Sequence, residues 1–186
     1  MNAPLTLKTR KCKYCPVRFP LFRSTQVVCS PACAQKHAEA KRVKDEKAAR
    51  RETKAKLEAI KPRSKWLKEV QSVFNNYIRL RDELKPCISC GRHHRGQYHA
   101  GHYLSVGSTP ELRFEESNVH KQCSACNNYK SGNAVRYRVR LIKKIGLEKV
   151  EWLEGPHEPK HYSIDDLKQL KAHYQQECKR LIKEQS

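Results

Sequence analysis

Two Cys-x2-Cys knuckles, Cys87/Cys90 and Cys123/Cys126, bracket the stretch of this sequence whose residue types could do chemistry. Thiolates at this spacing serve as zinc ligands in a chain with no secretory signal, so a structural zinc held by these four cysteines is expected. Between the knuckles lie His99, His102 and Asn118; Asn127 directly follows the last cysteine, and Lys130 comes shortly after. An imidazole can move a proton near neutral pH, an amide oxygen can orient it or ligate a hard cation, and an ammonium can hold a phosphate. Such groups need a scaffold. Gln97 to Leu104 and Asn118 to Gln122 read as short strands, and the polar run from Asn127 opens a helix that would carry Lys130 about one turn further on.

The order strand, loop, strand, helix, closed at its base by the knuckles, resembles the HNH or ββα-metal nucleases. That resemblance implies His102 as the general base and Asn118 as the residue that orients it by a hydrogen bond. It also implies Asn127 as the helix-borne ligand of a catalytic divalent ion, usually magnesium. Two positions depart from the common pattern. Gly101 stands where many members carry an acidic ligand directly before the base, which leaves His99 as the substitute ligand. Asn127 stands where many carry His, as in the phage endonuclease VII type of junction resolvase.

With the flanks included, the sequence is similar to the NinG (Rap) recombination endonucleases of lambdoid phages. The matching runs are L84-K-P-C-I-S-C-G91, A100-G-H-Y103, Pro110 to Phe114, N118-V-H-K-Q-C123, and C126-N-N-Y-K-S-G-N133 followed by Y137-R-V. The N-terminal cysteines, the basic helix and the K61-P-R-S64 entry extend the likeness over nearly the whole chain. Members tend to have Asp where this chain has His99. The resemblance implies cleavage of branched recombination intermediates, D-loops or Holliday junctions, with one cation; an enzyme cutting two strands at a junction would gain from being a homodimer.

Composition agrees with a nucleic-acid partner. The 186 residues carry 39 Lys+Arg against 19 Asp+Glu, net +20. The excess recurs along the chain, with 16 basic and 5 acidic residues up to 61, 11 and 6 from 62 to 132, and 12 and 8 thereafter. Positive charge spread in this way favours a polyanion, through phosphate neutralisation and counterion release. With 38% hydrophobic residues and a mean hydropathy of −0.87, one large core is excluded, and metal must help hold the fold. Nine cysteines without a secretory signal or a long apolar run point to a reducing, cytoplasmic setting and away from a membrane.

The remaining elements must place the site. Residues 1–11 read as a disordered basic lead-in. Cys12, Cys15, Cys29 and Cys33 make a second four-cysteine set, with Phe19, Leu21, Phe22, Val27 and Val28 for a miniature core, so a second structural zinc is expected. Ala34 to about Ile60 is helix-favouring, with Glu46–Arg50 and Glu52–Lys56 pairs and no broad apolar stripe. After Pro62, Ser64 could cap a helix that buries Trp66, Leu67, Val70, Val73, Phe74, Tyr77 and Ile78 behind the knuckles. Arg92, His93, His94 and Arg95 form a loop near DNA, and His120 shares a side with Asn118, either reaching the site or making a structural hydrogen bond. Beyond Asn133, Val135, Val139, Ile142 and Ile145 or Leu147 form a helical stripe, and Val150, Trp152 and Leu153 a short helix. Ser163 and Asp166 cap a last helix with Leu167, Leu170, Tyr174, Cys178 and Leu181 inside, Cys178 acting as a small buried hydrophobe.

The expected fold is therefore α+β and mainly helical. It comprises a four-cysteine finger over 1–33, a basic helical linker over 34–61, and a zinc-bracketed ββα core with flanking helices over 62–186. The expected activity is metal-dependent DNA cleavage, with DNA contacts from Lys130, Arg92 and Arg95. Two readings compete with it: a zinc-dependent DNA-binding protein without catalysis, and an adaptor whose finger recruits another protein.

Overall fold

The computed structural model describes residues 8–185, and the chain divides into two compact units at Lys61/Pro62. The fold is mainly helical, with two small sheets.

In the first unit, β1 (Thr9–Lys11) pairs antiparallel with β2 (Arg18–Pro20), Arg10 opposite Phe19. The lead-in expected to be disordered thus ends earlier than expected, because Thr9–Lys11 has a strand partner and Arg10 donates to the Gln26 carbonyl at 2.9 Å. Residues 1–7 of that lead-in lie outside the described residues. The helix α1 (Pro31–Ala59) starts before Ala34, since the Ser30 hydroxyl accepts from Cys33 N at 3.3 Å and Pro31 suits the first turn. Cys33 therefore stands on the helix, and it is the only α1 side chain that is buried. Glu52 pairs with Lys56 at 2.7 Å as expected, whereas Glu46 pairs with Arg42 and not with Arg50.

The second unit is built on α2 (Arg63–Arg81). Its N-cap is Pro62 with no side-chain cap, so Ser64 does not serve as one. Trp66, Val70, Phe74, Tyr77 and Ile78 pack with Phe114, Val119 and Tyr162 and with Leu167, Tyr174 and Cys178 of α6 (Ile164–Glu184). The Phe74 ring meets Phe114 and Tyr174 edge-on, at 5.6 and 4.9 Å between centroids. The Ser163/Asp166 capping box that starts α6 is formed in both directions. On this layer lies a two-stranded hairpin, β3 (Tyr98–His102) and β4 (Val119–Cys123), with His102 opposite Val119, Gly101 opposite His120 and His99 opposite Gln122.

After β4 the expected helix does not open at Asn127. A single turn, α3 (Ser124–Asn127), ends there, and the chain takes a corner through Ser131, Gly132 and Asn133, with φ of 45°, 81° and 50°. The helix has already ended at Asn127 and Lys130 takes φ −121° and ψ 27°, so Lys130 does not sit one helical turn beyond Asn127; the left-handed corner after it keeps this turn from running on into the next helix. The long helix is α4 (Ala134–Ile145), followed by α5 (Leu147–Glu154). The expected stripe on α4 holds only in part: Ile142 and Ile145 pack against the core, but its buried members are Tyr137 and Leu141, which join Ile88, Leu112, Val150 and Leu153, while Val135 and Val139 are 79% and 52% exposed.

Candidate functional site

Both cysteine sets close into clusters. The sulfurs of Cys87, Cys90, Cys123 and Cys126 lie within 4.8 Å of one another, as do those of Cys12, Cys15, Cys29 and Cys33, and none is in a disulfide. Four sulfurs around a zinc ion at about 2.3 Å each stand just under 4 Å apart in a tetrahedron. Separations of 3.4 Å for Cys15–Cys29 and 3.9 Å for Cys29–Cys33 fit that geometry. Backbone amides of Tyr14 and Cys123 point at the sulfurs of Cys12 and Cys87, at 3.5 and 3.4 Å, the kind of donor that favours a thiolate. Both clusters could hold zinc. His94, expected only as a loop residue, places Nε2 3.1 Å from Cys90 Sγ, at the rim of a complete four-sulfur set.

The hairpin positions His102 at the end of β3. Ala100 and His102 line a cavity of about 360 Å³ with Asn127, Tyr103, Ser105 and the Ser131–Gly132 corner, so the structure brings His102 and Asn127 together. His102 Nε2 lies 3.0 Å from the Arg113 carbonyl. A carbonyl only accepts, so Nε2 carries the hydrogen and Nδ1 keeps the lone pair. Burial lowers the His102 pKa from its ordinary value, which holds the ring neutral at pH 7; the Arg113 carbonyl partly opposes this and the Arg113 charge adds to it.

Asn118 is fully buried and does not bond the imidazole. Its Oδ1 accepts from Leu104 N at 2.9 Å, and its Nδ2 donates to the Leu104 and Leu112 carbonyls at 3.0 and 3.3 Å. All its capacity goes to the loop between the strands. That loop carries Arg113, so Asn118 ties down the backbone whose carbonyl His102 meets.

His99 is an odd number of residues from His102 on a strand and so faces the other side of the sheet. Its Nε2 bonds Ser124 Oγ at 2.9 Å, and it does not line the cavity. Gly101 has no room for a side chain, because an added Cβ would lie 2.0 Å from Gln122 Oε1 and 2.9 Å from Gln122 Cβ. Gln122 is itself fixed by its Nε2, which donates to Ser89 Oγ at 2.6 Å and to the Gly132 carbonyl at 2.5 Å. The space that an acidic side chain at position 101 would need is filled here by Gln122.

Asn127 Nδ2 donates to Asn128 Oδ1 at 2.8 Å, which leaves Asn127 Oδ1 without a hydrogen-bond partner among the described residues. With the Ser105 and Ser131 hydroxyls it is the oxygen that this cavity offers a hard cation; no Asp or Glu lines it. Without a carboxylate, a cation placed here would depend on water and on a substrate phosphate for most of its ligands. Arg92, Arg95 and Lys130 are all exposed, and none of the three lines the cavity. His120 is buried on the side facing α4, not in the His102 cavity. Its Nδ1 donates to the Tyr137 hydroxyl at 3.2 Å, which in turn donates to the Gly101 carbonyl at 2.9 Å. Burial, reinforced by Lys144 and Arg81, pushes the His120 pKa down to about 3. The participants not anticipated are Arg113, acting through its carbonyl, and Gln122. A backbone acceptor leaves no mark in residue type.

A small, basic, mainly helical protein with two four-cysteine clusters and a cavity lined by His102 is the class these features define. The family model described as "Bacteriophage Lambda NinG protein" matches residues 5–184. "Protein ninG" of Escherichia phage lambda is 42% identical over 190 residues, covering 92% of this chain and 93% of that protein. "Protein ninG" of Salmonella phage P22 is 40% identical over 189 residues with the same coverage, and that of Escherichia phage 933W is 41% identical over 187. The chain belongs to the NinG family. No solved structure matches it. Among the described residues no helix is long and apolar enough to cross a membrane.

Proposed function

We propose that this NinG-family protein is a metal-dependent DNA endonuclease of the HNH, ββα-metal type, acting on branched recombination intermediates in the cytoplasm of a phage host. One observation carries the reading: the tautomer of His102 is fixed so that Nδ1 is a free base, in a cavity it shares with the unpartnered amide oxygen of Asn127. His102 Nδ1 takes the proton of a water lying over the phosphodiester, and the Arg113 carbonyl stabilises the imidazolium that results. Asn118 holds the loop that supplies this carbonyl. Asn127 Oδ1 would hold a magnesium ion or similar cation, which when bound would stabilise charge on the phosphate and on the leaving 3′ oxygen. The family resemblance points to D-loops and Holliday junctions as substrates, and the net charge of +20 fits a DNA partner.

The test is cleavage of a labelled four-way junction or D-loop against linear duplex, with and without magnesium. Magnesium-dependent cutting of the branched DNA, lost in His102→Ala with zinc content unchanged, is the expected result; full activity in the mutant would remove His102 from the mechanism. The same assay has a defined pH response. The working form is the neutral ring, and its pKa in the fold lies below 6.5, so cutting should be level at neutral pH and fall only below pH 6.5. The absence of a carboxylate from the cavity favours one other reading, a zinc-dependent DNA-binding protein without catalysis. Tight binding of the junction with no cutting under any divalent cation would select it.

A further inference from the structure

The knuckle end of α4 carries a second concavity, of about 460 Å³, that the proposed chemistry does not use. Lys85, Lys121, Arg140, Lys143 and Lys144 line it, against a single acid, Asp82. That carboxylate is already shared: it accepts from Arg81 at 2.9 Å, from Lys85 at 3.1 Å and from Lys144 at 3.4 Å. Arg140 and Lys143 have no acidic partner among the described residues. Arg140 is nevertheless positioned, for its guanidinium lies against Gly91, where an added Cβ would stand 2.0 Å from Cζ. The wall behind is rigid, being formed by buried Cys87, Ile88 and the His120 that Tyr137 holds.

We infer that this concavity is a phosphate-binding pocket for the nucleic-acid backbone, separate from the His102 cavity and placed to grip DNA on the far side of α4. Five cations with one overcommitted carboxylate hold a local surplus that an oxyanion would neutralise, and a guanidinium with ammonium groups beside it suits a phosphodiester. Ala134, at the start of α4, lines the His102 cavity, and Lys144, near its end, lines the pocket. About ten residues of helix at 1.5 Å each separate them by roughly 15 Å. A strand of duplex advances about 3.4 Å per nucleotide, so the pocket would take a phosphate about four nucleotides from the one at His102. This spacing rests on the reading that DNA is cut at His102; the pocket's affinity for backbone does not.

The test is the salt dependence of binding to a labelled duplex and a four-way junction. Fluorescence anisotropy is read from about 50 to 200 mM KCl, a range over which phosphate contacts are resolved. The buffer is magnesium-free and contains no chelator, so that cutting is silent and the cysteine clusters stay loaded. Lys143→Gln should lower the slope of log affinity against log salt by about 0.9, and the Arg140→Gln/Lys143→Gln double variant by about 1.8, one contact each. Zinc content and the melting curve should match those of the parent protein. If Arg140→Gln disturbs the knuckle, Lys143→Gln alone decides the matter, since its side chain is exposed and unpaired. Slopes equal to the parent's in a folded variant would overturn the proposal. Millimolar inorganic phosphate that protects Lys143 and Lys144 from acetylation, with the DNA slope unchanged, would also overturn it in favour of a free anion. A parent protein that binds with the expected slopes but never cuts would defeat the nuclease reading and leave the pocket standing.

Discussion

His102 has its Nε2 held by a carbonyl eleven positions away in sequence, and the residue that fixes this carbonyl's loop is Asn118. With Asn118→Ala, the Leu104 amide and the Leu104 and Leu112 carbonyls lose their partners in a buried place. Unmet buried groups of this kind cost about 1 to 3 kcal/mol each, and partial relaxation of the loop should keep the total to about 2 to 4 kcal/mol. Denaturant unfolding should show that loss. Cutting, if the protein is a nuclease, should fall further than stability alone requires, because the Arg113 carbonyl would no longer fix the tautomer; a variant with parent stability would disprove the staple. At this scale the sequence was legible in part. It singles out His102, Asn118 and Asn127, and His102 and Asn127 do line one cavity. It could not show which atom Asn118 serves, since residue type records the capacity of an amide and not its partner. Nor could it show why Gly101 lacks an acid, because that reason is the volume of Gln122 on the neighbouring strand.

Among the elements, α4 separates what patterning reveals from what packing decides. Counting apolar residues favours Val135 and Val139 as the inner face, yet the helix turns Tyr137 and Leu141 inward. Tyrosine ranks below valine on scales that penalise its hydroxyl. Here its hydroxyl is satisfied by His120 and the Gly101 carbonyl, so its ring can be buried without penalty. Leu141→Ala should therefore cost about 2 to 5 kcal/mol, whereas Val135→Ser should stay within about 0.5 kcal/mol. Thermal melting of the two variants checks this, and the reverse order would restore the valine stripe. The corner before α4 was hidden for a related reason: Ser131 and Asn133 take left-handed conformations that only their surroundings impose. By contrast α2 and α6 were legible, since each shows a broad apolar face and α6 has its capping box written in Ser163 and Asp166.

In the molecule as a whole, dependence on metal should differ between the two units. The first has a core that is mostly ligand: Cys12, Cys33 and Phe19 are its buried members, with Tyr14, Cys15, Leu21, Val28 and Cys29 packed on them. Without an ion, about half of that cluster becomes thiols with no reason to converge, and the sheet of three-residue strands cannot hold itself. The second unit keeps a core that contains none of its cluster cysteines, the contact of α2 with α6 around Phe74, Tyr174 and Leu167. Its cluster instead ties the base of the hairpin, where Cys87, Cys123 and Cys126 gather beside Tyr98. Stripping metal with a chelator should therefore release two equivalents of zinc and unfold the segment around Cys12 to Cys33 outright. Residues 63–81 and 164–184 should remain helical while the hairpin carrying His102 loosens. Amide exchange can follow this segment by segment. Loss of protection in α2 and α6 together with the finger would show that the second cluster supports the entire unit and not only its hairpin. Retained protection in β1 and β2 would show that the first cluster needs no ion.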